Sequence, residues 1–149
     1  MLYKMTKFLW LLLAYYWGKI IKNLINKLTT TNINVKANNN EFEYLSRLFE
    51  QNNLHIVDHE DQKLMMSRLF LLVKLDSTPV GGLESRFEAS SCLKILNLSI
   101  EKKFQKKMIG SYLLKSLEDY ISEFHRDINK LSGIAGNDSK AFYEKNGYT

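Results

Sequence analysis

With 149 residues the chain is long enough for one domain with a real core and too short for two. A single cysteine, Cys92, excludes an internal disulfide framework and reads as a core residue, and with only three histidines beside it the composition argues against a zinc site. The net charge of +5 is local: Lys4, Lys7, Lys19, Lys22 and Lys27 precede any acidic residue, and taking those 5 from 21 basic residues leaves 16 against 16 acidic, so no basic face for nucleic acid is indicated.

Residues 8–17, FLWLLLAYYW, are uninterrupted apolar or aromatic side chains with lysines on both sides. After Gly18 the pattern turns amphipathic, with Ile20, Ile21, Leu24, Ile25 and Leu28 on one stripe and Lys19, Lys22, Asn23 and Asn26 off it. The run is short of the roughly 20 apolar residues of a membrane span, and no A-x-A-like cleavage site follows it. Residues 1–32 are therefore expected to form an apolar, basic helix whose partner, through residues 1–28, is an anionic membrane surface, the alternative being a helix packed on the domain. Trp10 and Trp17, seven apart, share one face of it. Thr29 to Asn34 reads as a polar linker, and Ile33, Val35 and Ala37 alternate as a short strand.

Asn38-Asn39-Asn40 supplies a helix start, Glu41 and Glu43 suit its first turn, and Phe42, Leu45, Leu48 and Phe49 form its apolar face up to Asn52-Asn53. A second helix is expected to include Asp61 to Met66. His55 and His59 are spaced i, i+4 without an H-E-x-x-H pattern and read as surface histidines. Leu69 to Leu75 is a predicted strand, Asp76-Ser77-Thr78-Pro79 a turn, and Val80 to Phe87 the returning strand.

Leu93, Ile95, Leu96, Leu98 and Ile100 place apolar residues at both parities, which predicts a strand buried on two faces. Leu113, Leu114, Leu117, Tyr120, Ile121 and Phe124 then recur at helical spacing, so a helix begins near Gly110. Between them lies EKKFQKKMIGS. A short turn from strand to helix presents free backbone amides at the positive end of the helix dipole, an anion site best suited to phosphate. Lys102, Lys103, Lys106 and Lys107 surround it; lysines at a helix start oppose the dipole unless an anion is present. Ile128 to Ala135 forms a fifth strand, and Gly136-Asn137-Asp138 leads into the last helix.

Gln105-Lys106-Lys107-Met108-Ile109-Gly110 resembles the acyl-CoA-binding motif Q/R-x-x-G-x-G/A of the GNAT superfamily of N-acetyltransferases. Met108 stands where the family has glycine; it keeps an amide and can take a helical φ, so the turn reads as weakened rather than abolished. Asn137 to Tyr148 is similar to the family's N-x-x-A-x-x-F-Y-x-K-x-G-F helix, with Ser139 in the small-residue place and Asn137 one residue closer to Tyr143 than in the pattern. The resemblance covers about residues 33–149. It implies an α/β (α+β) fold, a central mixed, mostly antiparallel sheet flanked by helices, preceded here by the extra amino-terminal helix of residues 1–32. The family adds two strands after the G-F pair. The chain stops at Thr149, so residues 33–149 are expected either to be a domain truncated at its carboxy terminus or to have an open edge on the fifth strand that the amino-terminal helix or a partner covers.

The same resemblance implies acetyl-CoA as cosubstrate, no metal, and an amine acceptor, protein or small molecule, that attacks the thioester directly. The cofactor would lie between a splayed fourth and fifth strand, against Ile100, Gln105, Lys106, Lys107, Met108, Ile109, Gly110, Ser111 and Asn137. Tyr143 matches the family's general acid, which protonates the leaving thiolate. Glu84, Glu88 and Glu101 are candidates for the base. A cytoplasmic enzyme, membrane-associated on the cytoplasmic side, is expected; the alternative is a degenerate acyl-CoA-binding fold acting as a non-catalytic binding or regulatory module.

Overall fold

The computed structural model describes residues 15–20, 22–33, 40–56, 67–89 and 91–149. Its strands are β1 (Leu28–Asn32), β2 (Arg68–Leu75), β3 (Thr78–Glu88), β4 (Cys92–Ile100) and β5 (Lys130–Gly133), hydrogen-bonded in that order in one sheet. The first three pairings are antiparallel and β4–β5 is parallel. Helix α1 (Asn40–Gln51) covers one face, α2 (Ile109–Phe124) covers the other, and α3 (Asn137–Lys145) follows β5.

Strand β2 shows why the sheet has two cores. Leu69, Leu71 and Val73 join a cluster with Ile109, Leu113, Leu114, Leu117 and Ile121 of α2, while Phe70 and Leu72, on the other parity, pack with Leu45, Leu48 and Phe49 of α1. Consecutive glycines let both layers close in. A Cβ on Gly81 would lie 2.5 Å from Ile100 Cδ1 and 2.7 Å from the Ser99 carbonyl oxygen; one on Gly82 would lie 2.6 Å from both Leu45 Cδ1 and the Leu71 carbonyl oxygen. The β2–β3 hairpin turns on Asp76 and Ser77 at φ 47° and 69°, the two left-handed residues that a tight two-residue turn requires.

Two sequence expectations change. The linker expected over Thr29 to Asn34 is largely strand: Thr29 to Asn32 pair with Lys74 to Leu71, and the Ile33 amide donates to the Phe70 carbonyl at 2.9 Å. Threonine is polar by composition but β-branched by shape, and shape prevails beside β2. Strand β4 is not apolar on two faces. Glu84 pairs with Asn97 and Ser85 with Ile95, so Leu96 is an extra residue, and the bulge changes parity mid-strand. Leu93, Ile95, Leu98 and Ile100 thereby all face the α2 core.

Residues 15–20 and 22–25 are helical and, apart from the partly covered Leu24, exposed, with Trp17 62% and Ile20 59% accessible. The described part leads into β1, at the opposite edge of the sheet from β5; residues 1–14, with most of the apolar run, lie outside the described residues. Among the described residues no helix is long and apolar enough to cross a membrane. Trp10, Val35, Ala37, His59 and the helix expected over Asp61 to Met66 lie outside the described residues.

Candidate active site

Strands β4 and β5 part company halfway. Four pairs join them, from Cys92 with Lys130 to Ile95 with Gly133. Strand β4 then continues to Ile100 while β5 ends, so from the Leu96 bulge onward β4 has an open edge on that side. The fifth strand is correspondingly shorter than the Ile128 to Ala135 expected from sequence.

The open edge leads to the basic turn. A short 3₁₀ turn, Lys102–Phe104, follows β4, and the Gln105 side chain reaches back to donate from Nε2 to the Ile100 carbonyl at 2.9 Å. The first backbone bond of α2 runs from the Tyr112 amide to the Met108 carbonyl at 3.0 Å. Among the described residues the amides of Lys106, Lys107, Met108, Ile109, Gly110 and Ser111 find no acceptor. Consecutive free donors at the start of a helix suit a pyrophosphate, so the residues present fit the CoA that the resemblance implies.

Met108 does not take the helical φ expected of it. It caps α2 at φ 63°, and Lys106 lies at 59°, both in the left-handed region that favours glycine. The turn keeps its shape at the cost of placing a side chain in a strained conformation, with Met108 directed outward and 47% exposed. Lys102, Lys103, Lys106 and Lys107 are exposed around it, and the ammonium groups of Lys103 and Lys107 lie 4.9 and 5.6 Å from the Phe104 ring centre.

The two motif segments meet. A Cβ on Gly110 would lie 3.1 Å from the edge of the Phe142 ring, so the bare backbone at the start of α2 lets α3 approach. Tyr143 packs edge-on against Phe142 at 5.2 Å and Tyr148 at 5.9 Å between ring centres. Burial pushes its phenol up from the ordinary range, and its hydroxyl makes no hydrogen bond among the described residues. Behind it the Tyr148 amide donates to the Tyr143 carbonyl at 3.1 Å, and the Tyr148 hydroxyl donates to Glu118 Oε1 of α2, also at 3.1 Å. Asn137 stands exposed at the first position of α3, and its side chain forms no hydrogen bond among the described residues.

The three glutamates have different surroundings. Glu84 is 1% exposed, with Oε1 on Arg68 Nη1 and Oε2 on Asn97 Nδ2, each at 2.7 Å, so it is a buried ion-pair partner. The hydrogen bond from Arg86 holds Glu88 below the usual carboxylate range. Glu101 follows Ile100 at the end of β4 and accepts from the Tyr44 hydroxyl of α1 at 2.8 Å, with Lys103 at 3.4 Å. Burial, then that bond, pushes the Tyr44 phenol up. Tyr44 went unnoticed in the sequence because it reads as a flank of α1's apolar face. Cys92 is buried in the core, its sulfur 3.3 Å from Ser132 Oγ. A depression of about 550 Å³ between the end of α2 and β5, lined by Glu118, Ile121, Arg126 and Leu131, shares no residue with the turn.

Among curated proteins none matches by sequence. Solved structures do match in fold. An aminoglycoside acetyltransferase from an uncultured soil metagenomic sample, meta-AAC0020, crystallised with trehalose, is 24% identical over 81% of this chain and 88% of its own, with a TM-score of 0.66. The ribosomal-protein-alanine N-acetyltransferase of Brucella melitensis biovar Abortus 2308 is 16% identical over 79% and 89%, at 0.62. AAC(6')-Iy, in complex with a bisubstrate analogue of CoA and acetylneamine, is 8% identical over 82% and 90%, at 0.60. The family model described as the acetyltransferase (GNAT) family matches residues 32–148. Both motif segments, the turn at Gln105 to Gly110 and the helix bearing Tyr143, fall within that match, and the chain belongs to the GNAT family of acetyltransferases, enzymes that transfer an acetyl group from acetyl-CoA to an amine.

Proposed function

We infer that acetyl-CoA binds with its pyrophosphate on the amides of Lys106 to Ser111, its pantetheine along the open edge of β4 near Ile100, and Asn137 at the side of α3. The observation that carries this is the run of unpaired amides beginning where β4 and β5 have already parted. Lys102, Lys103, Lys106 and Lys107 add positive charge for the phosphates.

An acceptor amine then attacks the thioester carbonyl carbon. The C–N bond forms, the C–S bond breaks, and the electron pair stays on sulfur. Tyr143 gives its phenolic proton to that thiolate, and its unbonded hydroxyl supports the role; burial keeps the phenol protonated through neutral pH, so the alkaline limb of the rate falls only above the ordinary phenol value of about 10. Glu101 takes the proton from the amine. Of the three glutamates it adjoins Ile100 and, unlike Glu84 with Arg68 and Glu88 with Arg86, has no arginine partner among the described residues. The acceptor is read as a small-molecule amine, supported by the aminoglycoside enzymes among the structural relatives, with a protein amine as the alternative that the ribosomal-protein-alanine enzyme supports.

Residues 1–32 and 33–149 divide the labour in this reading, although β1 already belongs to the sheet. The exposed, lysine-bearing helix apposes the enzyme to an anionic membrane on the cytoplasmic side. The transferase reading is tested by incubating the full chain with acetyl-CoA and a panel of aminoglycosides, amino sugars and peptides while following free thiol. Amine-dependent thiol release is expected; acetyl-CoA binding without release to any amine would overturn it.

A further inference from the structure

The amino-terminal helix and the phosphate-binding turn occupy one rim of the sheet. Leu28 pairs with Leu75, Leu75 with Thr78, and Gly81, three residues along β3, with Ile100, so the start of β1 and the end of β4 lie at the same end. A direct bond agrees with the register. Tyr112, in the first turn of α2, donates its hydroxyl to the Leu28 carbonyl at 3.0 Å. Nor is there slack between helix and sheet: the Asn26 and Lys27 amides bond back to Lys22 and Leu24 at 3.0 Å, and the Asp76 amide donates to the Lys27 carbonyl at 3.1 Å.

This rim joins two kinds of surface. The helix offers Trp17, Ile20 and Ile25 to solvent together with Lys19, Lys22 and Lys27. The turn offers exposed Lys102, Lys103, Lys106 and Lys107. The acids beside them are few: Asp76 lies 3.5 Å from Lys27, and Glu101 3.4 Å from Lys103. An aromatic and aliphatic stripe with lysines and no acid on its own helix is complementary to an anionic bilayer.

Resting on the acyl-CoA and membrane readings above, we propose that anionic lipid and acyl-CoA compete for this rim. The phosphates of a bound CoA bring negative charge to the turn whose lysines would face the lipid. A bilayer therefore meets a less cationic enzyme, and by reciprocity a docked enzyme binds acetyl-CoA more weakly. Cosubstrate loading loosens the enzyme from the membrane, and docking restrains turnover.

The test is flotation of the full chain with vesicles of phosphatidylcholine containing phosphatidylserine, against pure phosphatidylcholine, with and without saturating acetyl-CoA at matched ionic strength. Binding only to the mixed vesicles is expected, weakened by acetyl-CoA about fivefold for each lysine neutralised, with the same fold-change in acetyl-CoA affinity when vesicles are present. The double variant Trp17→Ser, Ile20→Ser should lose the vesicles and keep its acetyl-CoA titration, which shows that it is folded. Vesicle binding indifferent to acetyl-CoA overturns the competition alone. No vesicle binding by a chain that does bind acetyl-CoA overturns the membrane reading with it, and no acetyl-CoA binding at all overturns the cofactor reading instead.

Discussion

Helices α2 and α3 carry the two halves of the site and are anchored in opposite ways. Helix α2 buries Ile109, Leu113, Leu114, Leu117 and Ile121 against the sheet; α3 has no fully buried residue. What holds α3 is the Phe142 ring on Gly110, the stack of Tyr143 with its aromatic neighbours and the Tyr148–Glu118 bond. The turn proposed to receive phosphate thus leads directly into a core helix, whereas the arm that bears the proposed acid rests on a few aromatic contacts. Binding and chemistry should be separable by substitution, because damage to the arm need not reach the core.

That contrast can be broken at graded points. Leu117→Ala, in the most buried part of α2, should cost about 2–5 kcal/mol of stability and take acetyl-CoA binding with it, measured by denaturant unfolding. Gly110→Val forces the Phe142 ring away and should cost about 1–3 kcal/mol of stability; because Gly110 also belongs to the turn, both acetyl-CoA affinity and thiol release should fall, with the chain still folded by circular dichroism. Tyr148→Phe removes only the bond to Glu118. A loss of about 1 kcal/mol is expected in the same unfolding assay, with turnover reduced more than acetyl-CoA affinity. Met108→Gly acts on the turn alone. Release from the left-handed region is worth roughly 1–2 kcal/mol, the extra freedom of glycine in the unfolded chain opposes it by roughly 0.5–1 kcal/mol, and a net gain of about 0.5 kcal/mol should appear as a raised melting temperature.

Much of this was legible in the sequence, and where it was not the reasons are physical. Helical spacing in Leu113, Leu114, Leu117 and Ile121 located α2 because one stripe meets one core. The change of parity at Leu96 was visible too, but apolar residues at both parities have two explanations, burial on two faces or a bulge, and only the pairing of Ile95 and Asn97 with neighbouring β3 residues distinguishes them. Thr29 to Asn32 gave no signal by polarity, since half-buried threonines satisfy an edge strand through shape and backbone bonds. The left-handed residues at Lys106 and Met108 were hidden because the usual marker of such a conformation, glycine, is absent from both. Long-range pairs such as Tyr44 with Glu101, 57 residues apart, leave no local pattern at all.

The central claim, that the turn binds and the α3 arm reacts, is tested most directly on Tyr143→Phe. Acetyl-CoA is titrated into wild type and variant by calorimetry, and amine-dependent thiol release is followed for both across pH. Equal affinities are expected, with release slowed by roughly 10²-fold or more, the scale of a lost general acid, and with no alkaline fall in the wild-type rate until pH exceeds about 10. A variant that releases thiol as fast as wild type, or one that stays folded yet no longer binds acetyl-CoA, would contradict it.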